Sequence, residues 1–269
     1  MNELSLREVQ LMQLDLMKLV DKFCLEHDIQ YYLIAGSCLG AVRHGGFIPW
    51  DDDIDIAMMR GDYERFIELF NTKFPSKKYF LQNAQTDPYF SLSLSRICIK
   101  GTFVQIDSEK HFKVSKNTYI DVFPLDNVPD EESLRAKQMA KLKRIDRLIS
   151  LKEYHLYRNK VFEKITKQFV SLCLSFIPIS FLKKRRHLVM TAYDCVNTQC
   201  VCSTTSKYGY YKQIMDRTIY GRPVRICFEN IEFNAPEKTN DYLNHLYGSN
   251  FMQIPPEDKR VKPHKVFKI

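Results

Sequence analysis

Apolar positions between residues 4 and 28 recur at helical spacing (Leu11, Leu14, Leu16, Met17, Leu19, Val20, Phe23) and predict an opening helix. YYLIA (31–35) is a short apolar run of strand type that Gly36 and Ser37 interrupt, and SCLGAVRH then gives about two helical turns, stopped by Gly45 and Gly46. The period switches to two in DDIDIAMM, where Asp53 and Asp55 alternate with Ile54 and Ile56, so a strand with an acidic and an apolar face is expected. Helical spacing returns in DYERFIELFNTKF (62–74), with Asp62 as its N-cap and Phe66, Ile67 and Phe70 on one side. YFLQNA, SLSRICIK, TFVQI and TYIDVFPL, between 79 and 125, read as strands joined by polar turns, and Asp126 falls at a strand end as a turn residue. A basic helical stretch from Asp130 to about Arg158 leads into an apolar segment and a helix near 183–196; VRICFENIEF, TNDYLNHLYG and a proline-rich basic tail complete the chain.

Composition narrows the class. With 269 residues and 45% hydrophobic side chains, the chain can bury a proper core. A net charge of +8 suits anionic substrates or an anionic membrane surface. Nucleic acid is not expected as a partner, because zinc-finger spacing, an aromatic RNA-binding motif and a basic arm are all missing. The charged amphipathic start lacks a small-residue cleavage site, which predicts a cytoplasmic protein whose eight cysteines are reduced. Cys195, Cys200 and Cys202 fit none of the common zinc ligand spacings and are read as packed thiols. FVSLCLSFIPISFL (169–182), followed by KKRR, is shorter than the ~20 residues a bilayer span needs. It is either a buried helical hairpin or an interfacial anchor at the inner face of the plasma membrane, with KKRR on anionic headgroups.

The acidic strand carries the chemistry. Side chains two apart on a strand share a face, so Asp53 and Asp55 point one way, Asp52 points the other and Asp51 is undecided. Carboxylates crowded on one face repel, and the usual remedy is a hard cation: Mg2+ or Mn2+ completed by substrate phosphate and water. The competing reading, a solvated acidic turn, conflicts with Ile54 and Ile56, which bury the other face. A helix opening at Gly36 and Ser37 offers backbone N–H groups and a hydroxyl to a phosphate, and Arg43 adds a planar fork of donors. Asp121, between Ile120 and Val122, supplies a third acid as metal ligand or general base.

These residues resemble the nucleotidyltransferase, or polymerase-beta-like, fold. The longer string GSCLGAVRHGGFIPWDDDIDIAM, the later IDVFPLD, FENIEFNAP and DYLNHLYGSNFMQIPPEDKRVKPH are similar to the LicD family over nearly the whole chain. The resemblance implies an α+β fold: a mixed-sheet core flanked by helices, with a helical insertion. Three regions follow, a catalytic core over 1–129, a helical region over 130–205, and a part over 206–269 that completes the active site. The implied reaction moves a phospho-alcohol from a CDP donor to a sugar hydroxyl and releases CMP. For bacterial members of the family the donor is CDP-choline and the acceptor a lipid-linked or teichoic-acid-type glycan precursor, or lipopolysaccharide. Ribitol or glycerol phosphate from its CDP donor is an alternative, as is conventional NMP transfer with release of pyrophosphate. Asp53, Asp55 and Asp121 would hold the metal, while Gly36, Ser37 and Arg43 would grip the diphosphate. Arg96, with Lys100, is either a further anion contact or surface charge. Trp50 is either packed core or a ring stacked on cytosine or a quaternary ammonium. Glu229, Lys259, Arg260 and His264 match family positions with no role that the sequence itself supplies.

Overall fold

Ser5 starts the first helix, α1 (Leu6–Glu26), by a reciprocal capping pair: its hydroxyl accepts from the Glu8 N–H, and Glu8 accepts from the Ser5 N–H at 2.8 Å. The computed structural model describes residues 2–105, 115–157, 176–205, 208–260 and 263–269. Leu16, Met17, Val20 and Phe23 are fully buried along α1, as their spacing predicts.

The chain then builds β2 (Tyr32–Leu33), α2 (Ala35–His44), β3 (Asp55–Met59), α3 (Arg60–Lys73), β4 (Tyr79–Gln82), β5 (Ser95–Ile99), β6 (Thr102–Gln105) and β7 (Tyr119–Val128). The main sheet runs β2-β3-β7-β5-β4, with β3 and β7 parallel and the other pairs antiparallel. The far end of the ten-residue β7 pairs with β8 (Cys200–Cys202), which pairs with β9 (Ile214–Asp216). Two long helices, α4 (Glu132–Tyr157) and α5 (Ile179–Met190), pack on each other. β10 (Val224–Phe228) and β11 (Ile231–Ala235) form a hairpin whose two turn residues, Glu229 and Asn230, both have positive φ, as a two-residue type I′ turn requires. A helix over Thr239–Tyr247 follows, and β12 (Lys265–Lys268) lies between β1 (Asn2–Leu4) and β6 in a second sheet. The mixed-sheet α+β class is therefore as expected.

Several local expectations change. The strand of YYLIA covers only Tyr32–Leu33, because Ala35 turns to φ 47° and opens α2. Asp53 lies just outside the ladder, which begins at Asp55. Asp62 is in the first turn of α3, two residues past its start at Arg60, and does not cap it. Asp126 is not a turn residue: it sits inside β7 with no exposed surface, and Arg60 Nε donates to its Oδ1 at 2.7 Å. The helix expected near 183–196 spans Ile179–Met190.

The basic run at 183–186 divides in two. Lys183 and Arg186 turn inward, Lys183 donating to the carbonyls of Pro88 (2.6 Å) and Phe90 (2.7 Å), and Arg186 to Asp146 at 3.1 Å. Lys184 and Arg185 remain exposed. Residues 169–175 of the apolar segment lie outside the described residues, as does Cys173. Among the described residues no helix is long and apolar enough to cross a membrane. The other seven cysteines are free thiols.

Candidate active site

Two glutamines hold the acidic loop in place. Gln10 and Gln13 interrupt the apolar face of α1 one turn apart; Gln10 Nε2 donates to the Asp51 carbonyl at 2.9 Å and Gln13 Nε2 to those of Asp52 (2.8 Å) and Tyr119 (3.0 Å). The loop is thereby tied to the start of β7. Two buried amides in an apolar stripe are the signal in the sequence that marks this role.

Sheet register then assembles the site. The parallel pairing of β3 and β7 sets Asp55 beside Asp121, and the antiparallel pairing of β7 and β5 sets Asp121 beside Arg96. Directly paired residues share a face, so Asp55, Asp121 and Arg96 form one row across three strands. Arg96 Nε donates to Asp121 Oδ1 at 2.9 Å, and the guanidinium lies 3.8 Å from the Tyr119 ring centroid and 5.4 Å from that of Phe90. Arg96 is 8% exposed, which removes the surface-charge reading. Tyr119 is pushed well above the ordinary phenol range, first by burial and then by Asp121, with Asp53 and Asp52 adding to the effect against Arg96. Asp53 also borders a small cavity with Asp52, Gln13, Tyr119 and His264.

α2 meets this row end-on. Ser37 Oγ accepts from the Asp55 N–H at 2.8 Å, and the Asp55 carbonyl accepts from the Ile34 N–H at 3.0 Å, so the start of the helix and the acidic strand are stitched together. A side chain at Gly36 would place Cβ 2.7 Å from Asp51 Oδ2. Asp51 thus rests against the first turn of α2, where unpaired N–H groups and the helix dipole favour an anion. From behind, Tyr242 Oη accepts from the Ala35 N–H at 2.9 Å. Burial, the hydrogen-bonded Tyr208 and then the carboxylates of Asp55 and Asp51 all hold the Tyr247 hydroxyl above its usual range. Asp51, Tyr242 and Tyr247 are members of the site that the sequence did not assign.

Asp52 Oδ2 accepts from the His264 backbone N–H at 2.7 Å and stands 2.9 Å from His264 Nδ1, beside the small cavity that Asp53 also borders. Arg43 is not brought to the first turn of α2. It lies in the last turn of α2, roughly 12 Å along the axis from Ala35, and its Nη1 donates to the carbonyls of Phe251 (3.1 Å) and Gln253 (3.2 Å). Trp50 packs partly buried against the core with the Arg260 guanidinium 4.3 Å from its ring centroid. Glu229 takes a bidentate contact from Arg7 at 3.1 and 2.6 Å and accepts from the Phe47 N–H, locking the loop after α2 to the hairpin turn. Lys259 belongs to a short 3-10 turn. Among the described residues no three His, Cys, Asp or Glu side chains stand together as a ready-made metal site.

Residues 28–146 match the family described as LicD/FKTN/FKRP, nucleotidyltransferase domain, a span that contains Gly36, Ser37, Asp53, Asp55, Arg96 and Asp121. Over 267 residues, 99% of this chain and 98% of the relative, the sequence is 29% identical to the lipopolysaccharide cholinephosphotransferase LicD of Haemophilus influenzae. A shorter stretch of 54 residues, 20% of this chain and 18% of the relative, is 43% identical to an uncharacterised protein of Rickettsia typhi. The protein is an enzyme of the phosphotransferase class. Its similarity to the LicD family is carried by the match over residues 28–146 and by the end-to-end likeness to the Haemophilus relative.

Proposed function

We propose that the protein transfers phosphocholine from CDP-choline to a sugar hydroxyl of a cell-surface glycan precursor of teichoic acid type, releasing CMP. The observation that carries the reading is the register pairing of Asp55 with Asp121 beside the first turn of α2, on a chain similar end to end to a cholinephosphotransferase. The nucleotidyltransferase-like core is part of the same proposal, supported by the parallel β3–β7 pair and its carboxylates.

The acceptor oxygen attacks the outer phosphorus, the bond between that phosphorus and the bridging oxygen breaks, and CMP departs with the electron pair. The acceptor proton leaves with a base, a part for which Asp121 is one candidate. The donor set fits magnesium: Asp53 and Asp55 would hold it, with Asp121 adjoining, and diphosphate oxygens and water would fill the remaining positions. When bound, the ion supplies charge neutralisation to the diphosphate and the leaving group. The protein's own residues orient the rest. Gly36 and Ser37 keep the α2 terminus against the acidic strand, and Arg96 fixes the Asp121 carboxylate.

Three donors test the choice of alcohol. With magnesium and a glycan acceptor, the mass of one phosphocholine should appear on the acceptor from CDP-choline, and little product from CDP-ribitol or CDP-glycerol; the reverse preference would move the protein to another alcohol. Lipopolysaccharide, the acceptor named for the Haemophilus relative, belongs in the same panel.

Peripheral contact with the inner membrane face completes the proposal. Support comes from α5, where Phe181 (53% exposed) and Leu188 (52%) flank the exposed Lys184 and Arg185 at helical spacing. Co-sedimentation with anionic vesicles at low salt is expected, and its loss in Lys184→Glu/Arg185→Glu; a protein that stays in the supernatant refutes the contact.

A further inference from the structure

A cavity of about 350 Å³ lies between α4, α5 and the segments at 91–93 and 204–205, and none of the carboxylate row borders it. Eight buried side-chain polar atoms among the described residues lack a hydrogen-bond partner, and three of them, Ser91 Oγ, Thr204 Oγ1 and Thr205 Oγ1, belong to residues that line this cavity. The three oxygens are shut off within the wall, and because buried hydroxyls without partners are costly, each would gain by turning toward a ligand in the cavity. Each needs only a change of χ1 well to present its oxygen differently.

The rest of the wall defines the ligand. Leu142, Ile149 and Met190 give it an apolar side, while Arg186, 8% exposed and paired with Asp146 at 3.1 Å, gives it a fixed donor. The space is far larger than one water requires and lies in the range of small-molecule sites. An inorganic anion would leave the apolar side unused, and a hydrocarbon would leave the hydroxyls unpaired. A sugar ring offers both a C–H face and an edge of hydroxyls.

We propose that this cavity is a saccharide-binding site, which holds a sugar unit of the acceptor glycan apart from the unit that reacts; the acceptor assignment rests on the function proposed above. Ser93 precedes Arg96 by three residues, roughly 10 Å of extended chain. Lys183 pins the Pro88 and Phe90 carbonyls and Arg186 donates to that of Ser91, so the segment that lays Phe90 against Arg96 also supplies a wall of the cavity.

The test uses the full chain and neutral oligosaccharides of increasing length. Saturation-transfer NMR without donor should show binding to the wild type and its loss in Thr204→Val/Thr205→Val, and Ser150→Phe, which fills the rim, should block binding as well. In turnover, the double variant should raise the acceptor KM about tenfold for long acceptors, with donor KM and hydrolysis of CDP-choline unchanged. The proposal is overturned by an absence of saccharide binding to the wild type, or by equal binding in wild type and both variants. Because the binding arm needs no donor, it decides the site even where no CDP-alcohol is turned over.

Discussion

Asp55→Asn should lower kcat/KM by roughly 10³-fold or more with the fold intact, the scale of loss expected when a group that anchors transition-state charge is removed. The substitution keeps the side-chain volume, and the two backbone hydrogen bonds that hold position 55, from its N–H to Ser37 Oγ and from the Ile34 N–H to its carbonyl, are untouched. Asp53→Asn should behave similarly. Asp52→Asn should cost far less, within about tenfold, because its carboxylate is already engaged by the backbone N–H and ring of His264. Steady-state CMP release with circular dichroism as a fold control separates the cases. Equal losses at positions 52 and 55 would mean that the segment acts as an undifferentiated acidic cluster.

The largest effect on stability is expected at Arg60→Met, about 3–5 kcal/mol. Arg60 is 9% exposed and Asp126 has no exposed surface; their 2.7 Å contact joins the start of α3 to the middle of the sheet. Burial works against the guanidinium charge, but Asp126 more than offsets it, and the proton is held more tightly than in solvent. Removing the arginine leaves a carboxylate in the core without its countercharge. The pair itself contributes much less than that loss, since desolvating two ions consumes most of their attraction. Arg60→Met/Asp126→Leu should therefore recover most of the stability in urea unfolding. A double variant as unstable as the single one would show that shape, not charge, is what the site needs.

The reasons some features were legible and others hidden are physical. The loss of helical spacing at DDIDIAMM marks β3, though the strand starts only at Asp55, and the isolated Asp121 among apolar residues marks its partner, because periodicity and burial are local properties of sequence. Arg43 engages the carbonyls of Phe251 and Gln253, partners more than 200 positions away that the helical reading of SCLGAVRH does not reveal. Asp126 looked like a turn because the residue that neutralises it, Arg60, lies 66 positions away. Arg96 could be read either way until the register of β5 on β7 set it beside Asp121. Asp51 stayed undecided for a similar reason: only the packed structure shows that Gly36 leaves space for its carboxylate. Nothing in the chain's periodicity fixes such long-range pairings.

The phosphorus that is attacked separates the two chemistries open to this site. Incubating the protein with magnesium, a glycan acceptor and either CDP-choline or CTP, then separating the nucleotide products, tests it directly. The expected result is CMP from CDP-choline in proportion to modified acceptor, and no pyrophosphate from CTP. Pyrophosphate from CTP with CDP-choline left intact would contradict attack at the outer phosphorus and make the protein a conventional nucleotidyltransferase.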